Sequence, residues 1–98
     1  AGGAVATVDS THGRSVEKYA AQLGKAWGLG PSDMLLLMVK GDHYYVHLGD
    51  SVNSTATDTQ LNKLKNAVET DYYKNDYDRA ALSFFRAADV VYAQVFQK

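Results

Sequence analysis

Five side chains with oxygen donors, Asp33, Asp50, Ser51, Asn53 and Asp58, sit in two polar stretches of the chain. Carboxylate, hydroxyl and amide oxygens without thiolates suit hard cations, so the chemistry they support is calcium or magnesium binding. Their spacing does not match the Asp-x-Asp-x-Asp-Gly pattern of a calcium loop, so any site would have to be assembled by the fold. Each also has a local use. Asp58 falls in a first helical turn, where the dipole favours an anion, and Asp33 follows Pro31-Ser32 as a turn residue. Asp33, Asp50 and Asp58 lead this group, with Ser51 and Asn53 as weaker donors; a second acidic group is Asp9, Asp42, Asp76 and Asp78, from which Asp9 and Asp76 are further candidates for a cation.

Other chemistry is thinner. His12, His43 and His47 have no metal-binding spacing. Ser10 and Ser15 lie outside any G-x-S-x-G elbow. Gly28-Leu29-Gly30 follows a helix, where a dinucleotide fingerprint would follow a strand, so it reads as a helix stop. With no cysteine there is no disulfide, thiolate zinc site or thiol nucleophile. Ten Lys and Arg against 11 Asp and Glu leave a net charge of −1, which argues against a nucleic-acid partner. No apolar run approaches the roughly 18–20 residues of a membrane span. Of 7 tyrosines, Tyr44, Tyr45, Tyr72, Tyr73 and Tyr77 are placed to form an aromatic surface or to roof a small core.

The elements that must position these residues follow from the apolar pattern, and 98 residues allow one domain. Ala4 to Val8 reads as a strand that runs into the loop Asp9-Ser10-Thr11-His12-Gly13. Ser15 caps a helix whose face is Val16, Tyr19, Ala20, Leu23 and Trp27. Gly28, Gly30 and Pro31 stop it. Trp27 is expected to pack against the next strand. Met34 to Val39 has no polar residue and reads as a central strand covered on both faces. Gly41-Asp42-His43 turns it into a hairpin with Tyr44 to Leu48. A helical connection makes the first two strands parallel.

Gly49 to Ala56 reads as a loop. Thr57 and Gln60 have capping-box spacing ahead of a helix with the stripe Leu61, Leu64, Val68 and Tyr72. Asn75 or Asp76 caps the last helix, with Tyr77, Ala81, Phe84 or Phe85, Ala88, Tyr92 and Val95 or Phe96 inward. The order is β-α-β-β-α-α. Strand direction then places Asp33, Asp50 and Asp58 at one end of the sheet, and Asp9, Asp42 and Asp76 at the other.

Taken together, Thr7-Val8-Asp9-Ser10, Gly13 to Ala20, Trp27 to Gly30, Asp33 to Val39, the Gly49 to Asp58 loop and Tyr73 to Tyr77 resemble the TPM domain family, in the family's order and over nearly the whole chain. The resemblance implies an α/β fold, a three-layer α/β/α sandwich on a small mixed sheet. It also implies a domain of a longer, membrane-anchored protein, held outside the cytoplasm. The helix that usually precedes the family's first strand has no counterpart in this sequence. Asp33, Gly49 and Asp58 carry over position by position at one end, and Asp76 at the other. Where the family usually has Asp-Asn-Gly and Gly-Tyr-Gly, this chain has Asp33-Met34 and Gly49-Asp50-Ser51. By resemblance, the expected role is a non-catalytic binding or assembly module for membrane-protein partners of the cell envelope. Calcium or magnesium would assist it, and the domain would be a monomer. The alternative is a weak, metal-assisted acid phosphatase.

Overall fold

Strand β2 (Met34–Val39) is buried at all six positions, and the rest of the chain is layered around it. The structure is a computed structural model that describes residues 2–96. In chain order, β1 (Gly3–Val8) is followed by α1 (Val16–Ala26), β2 and β3 (Tyr44–Leu48). Three helices close the chain: α2 (Asp50–Thr55), α3 (Asp58–Tyr73) and α4 (Tyr77–Val95). The sheet order is β1-β2-β3. β1 runs parallel to β2 from Gly3 opposite Met34 to Val8 opposite Val39, and β3 pairs antiparallel from Met34 opposite Leu48 to Met38 opposite Tyr44.

Alternation along β2 sends its side chains to two cores. Leu35, Leu37 and Val39 join Ala6 and Ala20 under α1. Met34, Leu36 and Met38 join Val46, Val52, Leu64, Val68, Tyr72 and Phe84 under the other helices. The result is the expected three-layer α/β/α sandwich on a mixed sheet.

Helix ends follow their sequence signals. Ser15 Oγ accepts from Lys18 N–H at 3.2 Å and starts α1. At its far end Gly28, at φ +71, donates to Lys25 O, while Leu29 N–H donates to Gly24 O at 2.9 Å. That pair of bonds is a Schellman motif. Thr57 and Gln60 form the full capping box of α3. α3 ends with Asn75 at φ +60 and Asp76 N–H donating to Asp71 O. Asp76 Oδ1 then accepts from Arg79 N–H and opens α4. In α4, Phe84 and Val95 are inward, whereas Phe85 and the C-cap residue Phe96 are exposed.

Two expectations are corrected. Trp27 does not pack on β2; it is 49% exposed. It lies on the apolar face by angle, but it is the C-cap of α1, and the Schellman turn folds Leu29 back into the core in its place. The stretch Gly49 to Ala56 is not all loop, because 50–55 form α2. Its Ser, Asn and Thr residues are weak helix formers, and tertiary packing overrides them. Val52 is fully buried in the core, and Ser51 N–H donates to Pro31 O at 2.9 Å.

Candidate functional site

The end of the sheet where β2 begins gathers four chain segments around Asp33. Its Oδ1 accepts from Gly2 N–H at 2.8 Å, and its Oδ2 accepts from Gly30 N–H at 2.7 Å. Its backbone N–H donates to Gly30 O, and its carbonyl accepts from Gly49 N–H at 2.8 Å. One residue thus ties the start of β1, the turn after α1 and the end of β3. Charge-assisted bonds to a carboxylate are about twice as strong as neutral ones, so this joint is rigid.

Gly49 completes the joint by close approach. A Cβ there would stand 2.3 Å from Pro31 O, so only glycine fits. Tyr92 of α4 closes the inner side, where its hydroxyl donates to Gly2 O. Burial first, and the charge of Asp33 next, push the Tyr92 hydroxyl up to about 12. At neutral pH it is a donor that holds the start of β1.

The other predicted donors are spread along this end. Asp50 opens α2 and lines a shallow cavity with Gly30, Pro31, His47 and Gly49. Asn53 and Asp58 line a different groove, of about 440 Å³, with His47, Leu48 and Lys65. Ser51 presents its backbone N–H to Pro31 O. The fold therefore brings Asn53 and Asp58 to one groove and Asp50 to its neighbour, and it commits Asp33 to amides. Among the described residues, no three His, Cys, Asp or Glu side chains converge as a metal set. The donor types suit a hard cation, but the geometry does not assemble them as a shell. Asp58 and Asn53 are the pair that would hold one, with water completing its coordination.

The opposite end keeps Asp9 and Asp76 apart from this group. Asp9 faces Lys40 Nζ at 3.9 Å in an exposed pair, and Asp76 caps α4. Here the tyrosines form a cluster that sequence reasoning placed only loosely. Tyr44, Tyr72, Tyr73 and Tyr77 pack ring to ring with His43 beside Tyr44, while Tyr45 faces the α1 core instead. Lys40 Nζ sits 5.8 Å above the Tyr77 ring. Tyr72 donates to Val39 O at 2.6 Å, which is the bond that fixes the cluster. The role of Gly49 was also missed from sequence; the signal available was a lone glycine between a strand and a capped helix.

A three-stranded mixed sheet with one helix on one face and three on the other defines a small α/β/α sandwich domain, with its acidic loops fastened at one end. The profile of the TPM domain family matches residues 2–91, and the chain belongs to that family. No curated protein matches the sequence. Among solved structures, the fold is similar to the NMR structure of the BA42 protein from the psychrophilic bacterium Bizionia argentinensis. The TM-score is 0.83 at 13% identity, covering 96% of this chain and 68% of that one. Among the described residues no helix is long and apolar enough to cross a membrane.

Proposed function

We propose that this domain is a non-catalytic binding and assembly module that works outside the cytoplasm. It acts in a membrane-anchored parent and engages a membrane-protein partner of the cell envelope through the Asp33 end. The observation that carries this reading is the use of Asp33. The one acid central to all the loops is spent on two backbone amides, which builds a rigid surface rather than a reactive one. Around that joint, Asp50, Asn53 and Asp58 are left to face a partner or a hydrated calcium or magnesium ion. Lys40 faces Asp9 and Arg14 donates to Gln22, which leaves Lys65 as the basic group lining the groove with Asn53 and Asp58. The alternative, a weak metal-assisted phosphatase, would use that groove, with Lys65 beside the oxygens of the transferring phosphoryl group.

The test has three arms. A photo-crosslinker at Ser32 in the membrane-anchored parent should capture a membrane protein, and one at Arg14 should not. Calcium and magnesium titrations followed by amide shifts should move Asn53 and Asp58 together and saturate if a cation assists. Scattered shifts over all surface acids remove the cation from the proposal. Hydrolysis of p-nitrophenyl phosphate should stay at the buffer rate. A rate that Asp58→Asn abolishes in a folded domain overturns the non-catalytic reading.

A further inference from the structure

Among the described residues the outer edge of β3 is a free hydrogen-bonding ladder, and β3 lines a charged groove. Asp33 with Gly49 and Val39 with His43 are bonded across the hairpin, so Leu35 with His47 and Leu37 with Tyr45 are the bonded pairs between them. Bonded pairs alternate in an antiparallel ladder, and the N–H and C=O groups of Tyr44, Val46 and Leu48 therefore point away from β2. Among the described residues no other backbone group pairs with these three.

The groove of about 440 Å³ is lined by Tyr45 to Leu48 of β3 and by Asn53, Asp58, Leu61 and Lys65. A row of free ladder groups is a template for another extended backbone, which pairs with all of them at once. The wall adds sign. Asp58 and Lys65 are seven positions apart on α3, about 10 Å along the axis at ~1.5 Å per residue. Same-face residues of a strand lie about 7 or 13 Å apart, two or four positions on. A basic and an acidic side chain at that spacing reach both partners.

We infer that the β3 edge takes an extended peptide segment of a partner protein, added as a fourth strand, with a basic side chain toward Asp58 and an acidic one toward Lys65. The inference rests on the reading of this domain as a binding module and names the kind of segment it binds.

The probe is a set of blocked heptapeptides with Lys and Glu four positions apart, in both orders, and Thr or Val elsewhere. It is titrated into the labelled 98-residue chain. The amide protons of Tyr44, Val46 and Leu48 should move downfield together and saturate, while those of Tyr45 and His47, already bonded to β2, stay put. Methylating alternate peptide nitrogens should abolish the shifts. Asp58→Lys or Lys65→Glu should each weaken binding about tenfold, as for other close interfacial charge pairs. A peptide with its charges exchanged should regain affinity for the double variant. No saturable shift in either order, shifts centred elsewhere, or shifts that survive methylation overturn the inference. So do β3 shifts that grow with protein concentration alone, since they would make the occupant a second copy of the chain. Failure here beside a positive crosslink from Ser32 leaves the binding-module reading standing; peptide binding without that crosslink does the reverse.

Discussion

Asp33 Oδ1 accepts a hydrogen bond from Gly2 N–H at 2.8 Å, across 31 positions of the chain. Its other oxygen caps Gly30, so neither can be changed without leaving a donor unmet. Asp33→Asn keeps one acceptor but turns an amide NH₂ toward the other N–H. The expected loss is about 1.5–3 kcal/mol, the range for bonds to charged groups. Urea denaturation at pH 7 measures it. A loss under about 0.5 kcal/mol would mean that water satisfies these amides and the joint is loose.

Much of this arrangement is legible in the sequence because its signals are local. Ser15, the Thr57 to Gln60 box and the glycine of the α1 stop each act within a few residues. The six apolar residues of β2 state their own burial. What is illegible depends on distance. No property of Asp33 alone says that its partner amides are at Gly2 and Gly30. The short α2 has no helical propensity to announce it, because Val52 and the contact with Pro31 hold it in place. Strand direction alone puts Asp33, Asp50 and Asp58 at one end of the sheet, as the fold has them. Whether they point to one centre depends on side-chain geometry that topology does not fix.

Gly49→Ala tests the close approach directly. Gly49 has φ −61, so the backbone conformation suits alanine and only space opposes it. The added methyl would meet Pro31 O at 2.3 Å and Gly30 O at 2.7 Å, both backbone atoms that cannot rotate aside. Overpacking of this kind costs about 1–3 kcal/mol. Thermal or urea unfolding should show the loss, together with shifted amides at Gly30 and Ser51. An unchanged midpoint would show that the turn after α1 can slide.

Trp27 carries the opposite expectation. It is the chain's single tryptophan and is half exposed, so Trp27→Ala removes little buried area. The expected change is under about 1 kcal/mol, well below the 3–5 kcal/mol of a core aromatic. Emission near that of free indole, readily quenched by iodide, checks its exposure without mutation. A blue-shifted, protected emission would restore it to the core and displace Leu29.

Tyr72 sets the alkaline limit of the fold. Its hydroxyl donates to Val39 O at 2.6 Å from a buried position. Burial, then the charges of Tyr77, Asp42 and Tyr73, push it from 10.0 up to about 12. Tyr92 is held at about 12 as well, chiefly by burial. A folded value above the unfolded one favours the protonated fold. The stabilisation is therefore complete below pH 10 and is lost as pH rises from 10 through about 12. Urea midpoints should accordingly stay level up to about pH 9 and fall steeply above 10. Tyr72→Phe gives up the bond to Val39 O, which still accepts from Asp42 N–H at 3.2 Å, so the neutral-pH loss should be only about 0.5–1.5 kcal/mol. Its alkaline decline should be shallower than that of the parent, because one of the phenols held above its ordinary value, Tyr72 beside Tyr92 and Tyr44, is gone. Tyrosinate absorbance at 295 nm gives the same answer spectroscopically, since the late-titrating fraction shrinks in the variant. If the decline is as steep in Tyr72→Phe as in the parent, the Tyr72 phenol is not what unfolds the protein in base.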